Sequence, residues 1–158
     1  YYLGPLNSDL FTLRFRNFVK LYCLHDQDSA EQSEEPVGLA FMAYYDKLTS
    51  LPNRQLFQER VENRIRTSGF ETVHFTIFFL DLDGFKSIND LNGHEAGDWL
   101  LNQVGIRLKN CLKKQDTVAR LGGDEFAVLI EGLTERMLIE KIAHRVLYRL
   151  STPYSYQN

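Results

Sequence analysis

An α+β sandwich, a mostly antiparallel sheet flanked by helices, is what this sequence predicts, and three observations carry the prediction. Residues 73–80 form a nearly continuous apolar run rich in β-formers and of strand length, which suits a central strand buried on both faces. Two later segments repeat apolar residues at helical spacing: Leu101, Val104, Leu108 and Leu112, then Leu138, Ile142 and Val146. Between them, Val118-Ala119 and residues 126–130 read as β-type runs joined by the four-residue link Gly122-Gly123-Asp124-Glu125. A link that short marks a hairpin, hence an antiparallel pair.

The remaining elements follow in chain order. Arg14 and Arg16 alternate with Leu13 and Phe15 inside residues 10–24, the period-2 pattern of a half-buried strand whose apolar face needs a partner. Residues 26–36 are acidic and polar, which is linker chemistry, so the chain divides into an upstream segment with its linker, 1–36, and a domain, 37–158. Residues 37–45 suit the end of a connecting helix, and 46–54 a turn-rich lead-in. Phe57, Val61 and Ile65 then give one helical stripe that Ser68-Gly69 ends. Thr134 is the expected N-cap of the last helix, with Glu135 in its first turn, and the residues after Pro153 read as a polar, Tyr-containing tail.

Composition narrows the function classes. In 158 residues of 44% hydrophobic content there is enough apolar material for one core. A net charge of -3 offers no general attraction to nucleic acid or an anionic membrane, so an anionic ligand needs a local site. Cys23 and Cys111 lack metal-ligand spacing and read as buried thiols in a reducing compartment. With neither a signal peptide nor a membrane-length apolar run, the expectation is a cytoplasmic domain; a first residue of Tyr1 suggests a piece of a longer protein, whose membrane anchoring stays open.

The chemistry-bearing residues cluster where strands end. Asp81 and Asp83 follow the central run, and two carboxylates there are expensive unless paired or bound to a cation. Asp124 and Glu125 occupy the hairpin link, with Arg120 as the only basic neighbour in sequence; its glycines let the backbone approach a ligand closely. Adjacent strands would bring these carboxylates together around a hard cation such as Mg²⁺, held by carboxylates, a carbonyl such as that of Leu82, and phosphate oxygens. A charged hairpin turn is the plainer alternative. Lys86 suits either phosphate neutralisation or simple solvation. Asn89 and Asp98 have the donor and acceptor pattern to read a guanine edge, but equally suit a turn residue and a helix cap, and Gly93 and Gly97 suit plain turns.

Four segments together, residues 46–54, 81–90, 93–98 and 120–126, resemble the GGDEF family of bacterial diguanylate cyclases in content and order. The resemblance implies a palm-like, nucleotidyl-cyclase sheet and the condensation of two GTP into cyclic di-GMP, one GTP on each subunit of a homodimer. It implies Mg²⁺, with Mn²⁺ as its substitute, at Asp81, the Leu82 carbonyl and Asp124. Asp124 would accept the 3′-hydroxyl proton with Glu125 close by, and Lys86 would offset transition-state charge. Asn89 and Asp98 would read guanine, while Gly84 and Phe85 contact phosphate beside the Arg120, Gly122 and Gly123 hairpin. Attached sensory and phosphodiesterase domains are the partners it implies.

Two departures matter. Where the family often carries an Arg-x-x-Asp inhibitory site, this chain has Lys113-Lys114-Gln115-Asp116, so a degenerate site built on Lys113 and Asp116 is expected to bind product weakly. The family also continues into a further strand and helix that this sequence lacks. That predicts a sheet edge beside residues 73–80, covered by residues 10–21 or by a neighbouring chain. A silent GTP-binding or cyclic di-GMP effector module attached to another domain is the competing function, and a purely structural dimerisation domain a weaker third.

Overall fold

The computed structural model describes residues 43–66, 74–133 and 135–156, together with the backbone of 10–11 and 14–22. In chain order these form β1 (Leu10–Phe11), β2 (Arg14–Tyr22), α1 (Arg54–Arg66), β3 (Phe75–Asp83), α2 (Phe85–Asn92), α3 (His94–Cys111), β4 (Thr117–Gly122), β5 (Glu125–Glu131), α4 (Arg136–Ser151) and β6 (Tyr154–Ser155). The linker 26–36, residues 37–42, Cys23, Val73, the Ser68-Gly69 stop and the Thr134 cap lie outside the described residues. The predicted α+β arrangement is present. Strands β2-β3-β5-β4 make one sheet, in that order and antiparallel throughout, while β1 and β6 pair separately.

Strand alternation divides the core. Phe78, Leu80 and Leu82 of β3 and Phe126, Val128 and Ile130 of β5 join Leu100, Leu101, Val104 and Leu108 of α3 and Val146 and Leu150 of α4 on one face. Phe75, Ile77, Ala127 and Leu129 occupy the opposite face with Phe57 of α1. That second face is only partly roofed, because α1 packs over the β4 side of the sheet. The expectation that residues 73–80 are buried on both faces therefore needs correction: Phe79 is 39% exposed.

The edge of β3 that residues 10–21 or a neighbouring chain were expected to cover is taken by β2, in a register running from Arg14 opposite Asp83 to Tyr22 opposite Phe75. Phe15, Val19 and Leu21 stand opposite Leu82, Phe78 and Thr76 in that register. Of the strand expected over 10–24, the described residues form two, β1 and β2, and β1 pairs Phe11 with Tyr154.

Three expectations about the last helix and tail are also corrected. Leu138 is exposed, and the buried positions of α4 are Ile139, Val146 and Leu150, with Ile142 half-buried. A mixed spacing of three and four residues follows the 3.6 period; a pure spacing of four drifts around the helix. Glu135, not a residue within the first turn, is the N-cap, and its side chain makes no capping bond. Tyr154, read as tail, is 1% exposed and among the largest fully buried side chains. Burial pushes its hydroxyl up to about 12 against the opposing effect of Arg107.

Arg107 holds this corner together. Its guanidinium lies 3.5 Å from the Tyr154 ring centroid and donates to the Arg149 carbonyl (3.1 Å), the Thr152 carbonyl (2.5 Å) and Oγ1 (2.8 Å), and the Pro153 carbonyl (2.8 Å), satisfying the end of α4. Lysine lacks the planar fork that serves several acceptors at once. Arg107→Lys should therefore lower stability by about 2 kcal/mol, read as a lower urea midpoint at unchanged slope.

Candidate functional site

The site begins with the hairpin. Gly122 and Glu125 are themselves paired strand ends, so the turn is the two residues Gly123-Asp124, shorter than the four-residue link expected from sequence. Gly122 (φ 142°) and Gly123 (φ 53°) take left-handed backbone that only glycine adopts easily, and a shift of register between Arg120 and Gly122 leaves Leu121 as a bulge. The bulge and turn re-aim the tip. Asp124 is half-buried there, and Glu125 opens β5 exposed on the α1 side of the sheet.

Register then brings distant carboxylates together. Asp81 stands directly opposite Glu125 across the β3–β5 pair, and Asp83 lies on the same face one alternation further on. Both aspartates belong to β3 itself, which runs three residues beyond Leu80. Asp81 is exposed and Asp83 half-buried, so the reading that a buried strand end makes these charges expensive is corrected: the unroofed face keeps them in water. Arg54, Phe79, Leu80, Asp81, Asp83, Leu121, Glu125 and Phe126 line a cleft of about 460 Å³. Asp124 stands at the tip beside this lining.

The basic partners are not those nearest in sequence. Arg120 turns away from the acidic pair, donating to Asp46 Oδ1 and Oδ2 at 3.0 and 3.1 Å and to the Gly123 carbonyl at 3.0 and 2.7 Å. Arg54 is the cation of the cleft, with Nη2 3.1 Å from Glu125 Oε2 and Nε 3.3 Å from the Leu121 carbonyl. Both contacts issue from the segment 46–54, whose Asn53 caps α1 by accepting from the Leu56 N-H at 3.0 Å. This segment thus clamps the hairpin from one side. Sequence reasoning gave Arg54 no role, and no local signal existed, since its partner lies 71 positions away.

On the other side, Gly84 follows β3 with φ 82°, α2 starts without a side-chain cap, and Lys86 in its first turn is exposed. Asn89 of α2 is half-buried against α3. There Gly97, read from sequence as a turn glycine, is a buried helical residue: a Cβ on it would overlap Asn89 Oδ1 and lie 2.9 Å from Asn89 Cγ and 3.2 Å from Phe85 Cζ. Its missing side chain is the slot in which the Asn89 amide sits. Asp98 follows Gly97 on α3 and is exposed. Gly93, with φ 83°, is the break between the two helices.

Lys113 and Asp116 form a separate place. Asp116 Oδ2 accepts from the Lys113 N-H at 2.9 Å while the Asp116 N-H donates to the Lys113 carbonyl at 3.0 Å, closing the turn from α3 to β4. Lys109, Lys113, Lys114 and Arg60 share the lining of the adjoining groove.

The donor set of the cleft is hard oxygen, suited to Mg²⁺ and unsuited to a soft metal. Among the described residues no three carboxylate, histidine or cysteine side chains converge as a preformed cage. Mg²⁺ fits such an open arrangement, because it keeps water and phosphate oxygens among its ligands.

Residues 43–158 match the family model described as the diguanylate cyclase GGDEF domain. The chain belongs to the GGDEF family. It is 44% identical over 113 residues to the bifunctional diguanylate cyclase/cyclic di-GMP phosphodiesterase MucR of Pseudomonas aeruginosa, covering 72% of this chain and 16% of that protein. It is 36% identical over 139 residues to the cyclic di-GMP phosphodiesterase PdeR of Escherichia coli, covering 88% of this chain and 20% of that one. Among solved structures, an N-terminally shortened TpbB (YfiN) of P. aeruginosa comprising only the GGDEF domain aligns with TM-score 0.66 and 40% identity, over 70% of this chain and 64% of that one. The chain therefore spans a minor part of the length of the curated relatives it matches, and the palm-like sheet expected from sequence is that of its structural neighbours. No helix among the described residues is long and apolar enough to cross a membrane.

The Asp46–Arg120 pair yields a prediction. Burial alone would raise the Asp46 carboxyl, but hydrogen bonds from Thr49 Oγ1 (2.6 Å) and N (2.8 Å), and from Arg120, outweigh it and hold the group below 3.8. A carboxylate depressed in the folded state contributes stability that is fully present above its unfolded value and is lost as pH falls through the folded one. Asp46→Ala should cost about 2 kcal/mol at pH 7. The difference from the unsubstituted protein, followed by urea unfolding, should shrink as the pH drops below 3.8.

Proposed function

We propose that this GGDEF domain is a diguanylate cyclase that condenses two GTP into cyclic di-GMP with Mg²⁺, one GTP held by each subunit of a homodimer. The observation that carries the reading is the register of β3 against β5, which sets Asp81 opposite Glu125 and lines a cleft with three carboxylates beside an intact Gly-Gly-Asp-Glu hairpin. Its volume, about 460 Å³, lies in the range of small-molecule sites.

Asp81, the Leu82 carbonyl and Asp124 are the groups we assign to the metal, which when bound neutralises phosphate oxygens. Asp124, with Glu125 beside it, accepts the proton of the attacking 3′-hydroxyl, a role that asks for an ionised carboxylate at a rigid tip. The uncapped first turn of α2, with Gly84 and Phe85 backbone and the Lys86 ammonium, receives phosphate oxygens, since a helix N-terminus presents N-H donors and a favourable dipole. Asn89 and Asp98 read the guanine edge from the α2–α3 junction. Alignment and charge stabilisation supply most of the rate in such transfers. We assign the reaction to the cytoplasmic side of a longer parent protein carrying sensory or phosphodiesterase domains. At the degenerate Lys113/Asp116 site, Asp116 is engaged in closing its own turn, which supports weak product inhibition.

A silent GTP-binding module attached to a phosphodiesterase is the second reading, favoured by the match to PdeR, a protein named for phosphodiesterase activity. Incubating the parent protein with GTP and Mg²⁺ and separating the nucleotides decides between them. Cyclic di-GMP should form, and Asp124→Ala should reduce its rate by about 10²–10⁴; GTP retained without turnover would support the silent module. Gly97→Ala tests the guanine assignment. Alanine favours a helix by about 1 kcal/mol, so stability should hold, while displacement of the Asn89 amide should weaken GTP binding about tenfold, measured by calorimetry.

A further inference from the structure

Helix α1 meets both ends of β5 with an arginine: Arg54 pairs with Glu125 and Arg64 with Glu131. The two pairs sit in different surroundings. Arg54 and Glu125 line the large cleft together with Asp81 and Asp83, whereas Arg64 and Glu131 line a separate groove with Asn63, Gln115 and Thr117. The carboxylate of Glu131 is 20% exposed and that of Glu125 is 53% exposed. Enclosure suits a clasp that serves the fold; the Arg54 pair is left open to water at the place where phosphate and cation would enter.

Arg54 is nevertheless held in position without Glu125. The Asn53 N-H donates to the Tyr44 carbonyl at 2.9 Å, Asn53 Nδ2 to the Ala43 carbonyl at 2.6 Å and the Arg120 N-H to the Pro52 carbonyl at 3.0 Å, which ties the start of α1 to β4. Arg54 Nε donates at 3.3 Å to the carbonyl of Leu121, the bulge residue. That anchor does not involve the carboxylate, so the guanidinium keeps its place in the cleft when Glu125 lets go. Among the described residues the Leu121 carbonyl and Glu125 are its acceptors, and a guanidinium carries more N-H donors than these contacts use.

We infer that Arg54 is a phosphate-binding residue held in reserve by Glu125: when the nucleotide enters, the pair opens, Arg54 takes phosphate oxygens and Glu125 turns to the cation. This rests on the nucleotide reading above and adds a coupling to it. A phosphate offers the planar fork the same two-oxygen geometry as a carboxylate with more charge, and an exposed ion pair gives up little when it opens. Before the exchange, Arg54 makes Glu125 less available to a cation arriving alone. Phosphate and cation therefore favour each other's binding.

Arg54→Ala separates the two halves of the exchange. Binding to the full chain is followed with Mn²⁺ alone, by the electron paramagnetic resonance signal of the free ion, and with a non-hydrolysable GTP analogue plus Mg²⁺, by calorimetry. The variant should bind Mn²⁺ alone about two- to fivefold more tightly, because Glu125 is no longer engaged, and the analogue about tenfold more weakly. Arg54→Lys, which keeps the charge and loses the fork, should recover part of the loss. Arg64→Ala should bind both probes like the unsubstituted chain. Weaker binding of both probes to the Arg54→Ala variant overturns the inference, because the residue would then serve the hairpin's fold. So does analogue binding that is unchanged or tighter, and so does Mn²⁺ binding no tighter than that of the unsubstituted chain. If the unsubstituted chain does not bind the analogue, the nucleotide reading itself falls and this inference with it; if it binds and only the Arg54 effects are missing, the nucleotide reading stands alone.

Discussion

The antiparallel register of β3 against β5 is the constraint on which the rest depends. Seven consecutive pairs, from Phe75 opposite Glu131 to Asp81 opposite Glu125, fix which side chains face α3 and α4 and which face the open side. Because the side-chain period of a strand is two, a one-residue slip would carry Asp81 and Asp83 into the core with Phe126 and Val128 and expel Leu80 and Leu82. Burying two carboxylates without partners costs far more than a domain's net stability can absorb. The core therefore specifies the site: the same alternation that buries Leu80 and Leu82 puts Asp81 and Asp83 on the open face.

The hairpin adds direction. Its tip would be a loose charged turn if only the strands held it, but Asp46 takes Arg120 and Arg54 takes Glu125, so one short segment grips both sides of the turn. The two contacts differ in burial. Asp46 and Arg120 are largely enclosed and act as a structural clasp, whereas the Arg54–Glu125 pair is more than half exposed and contributes little to stability. An exposed pair of that kind is easily exchanged for a ligand's charges: a phosphate would compete with Glu125 for Arg54, and a metal with Arg54 for Glu125.

Much of this was legible in the sequence wherever one element explains itself. The apolar run of β3, the stripe of α3 and the glycines of the hairpin reflect local rules of period and backbone freedom, and the polar-apolar alternation of β2 announced a strand in need of a partner. What stayed hidden depends on residues distant in sequence. Arg54 looks like any helix-opening arginine until the sheet brings Glu125 beside it. Gly97 looks like a turn glycine until α2 packs close enough for Asn89 to need its space. Asp81 and Asp83 looked like charges stranded at a buried end because the extent of α1's cover, which leaves one face of β3 open, is not written in β3. Tyr154 looked like tail because Arg107 over its ring and the core cluster it joins lie far from it in sequence.

The central claim is that the β3–β5 register builds a cleft for a metal-bound guanine nucleotide at Asp81 and the hairpin. Paramagnetic broadening of backbone amide signals tests it most directly, with Mn²⁺ added to the full chain in the presence of a non-hydrolysable GTP analogue. The signals of Asp81, Leu82, Asp83, Gly123, Asp124 and Glu125 should be lost selectively, with those of Lys113 and Asp116 retained. Broadening centred on Lys113 and Asp116, or none at Asp81 and Glu125 with nucleotide bound, would contradict it.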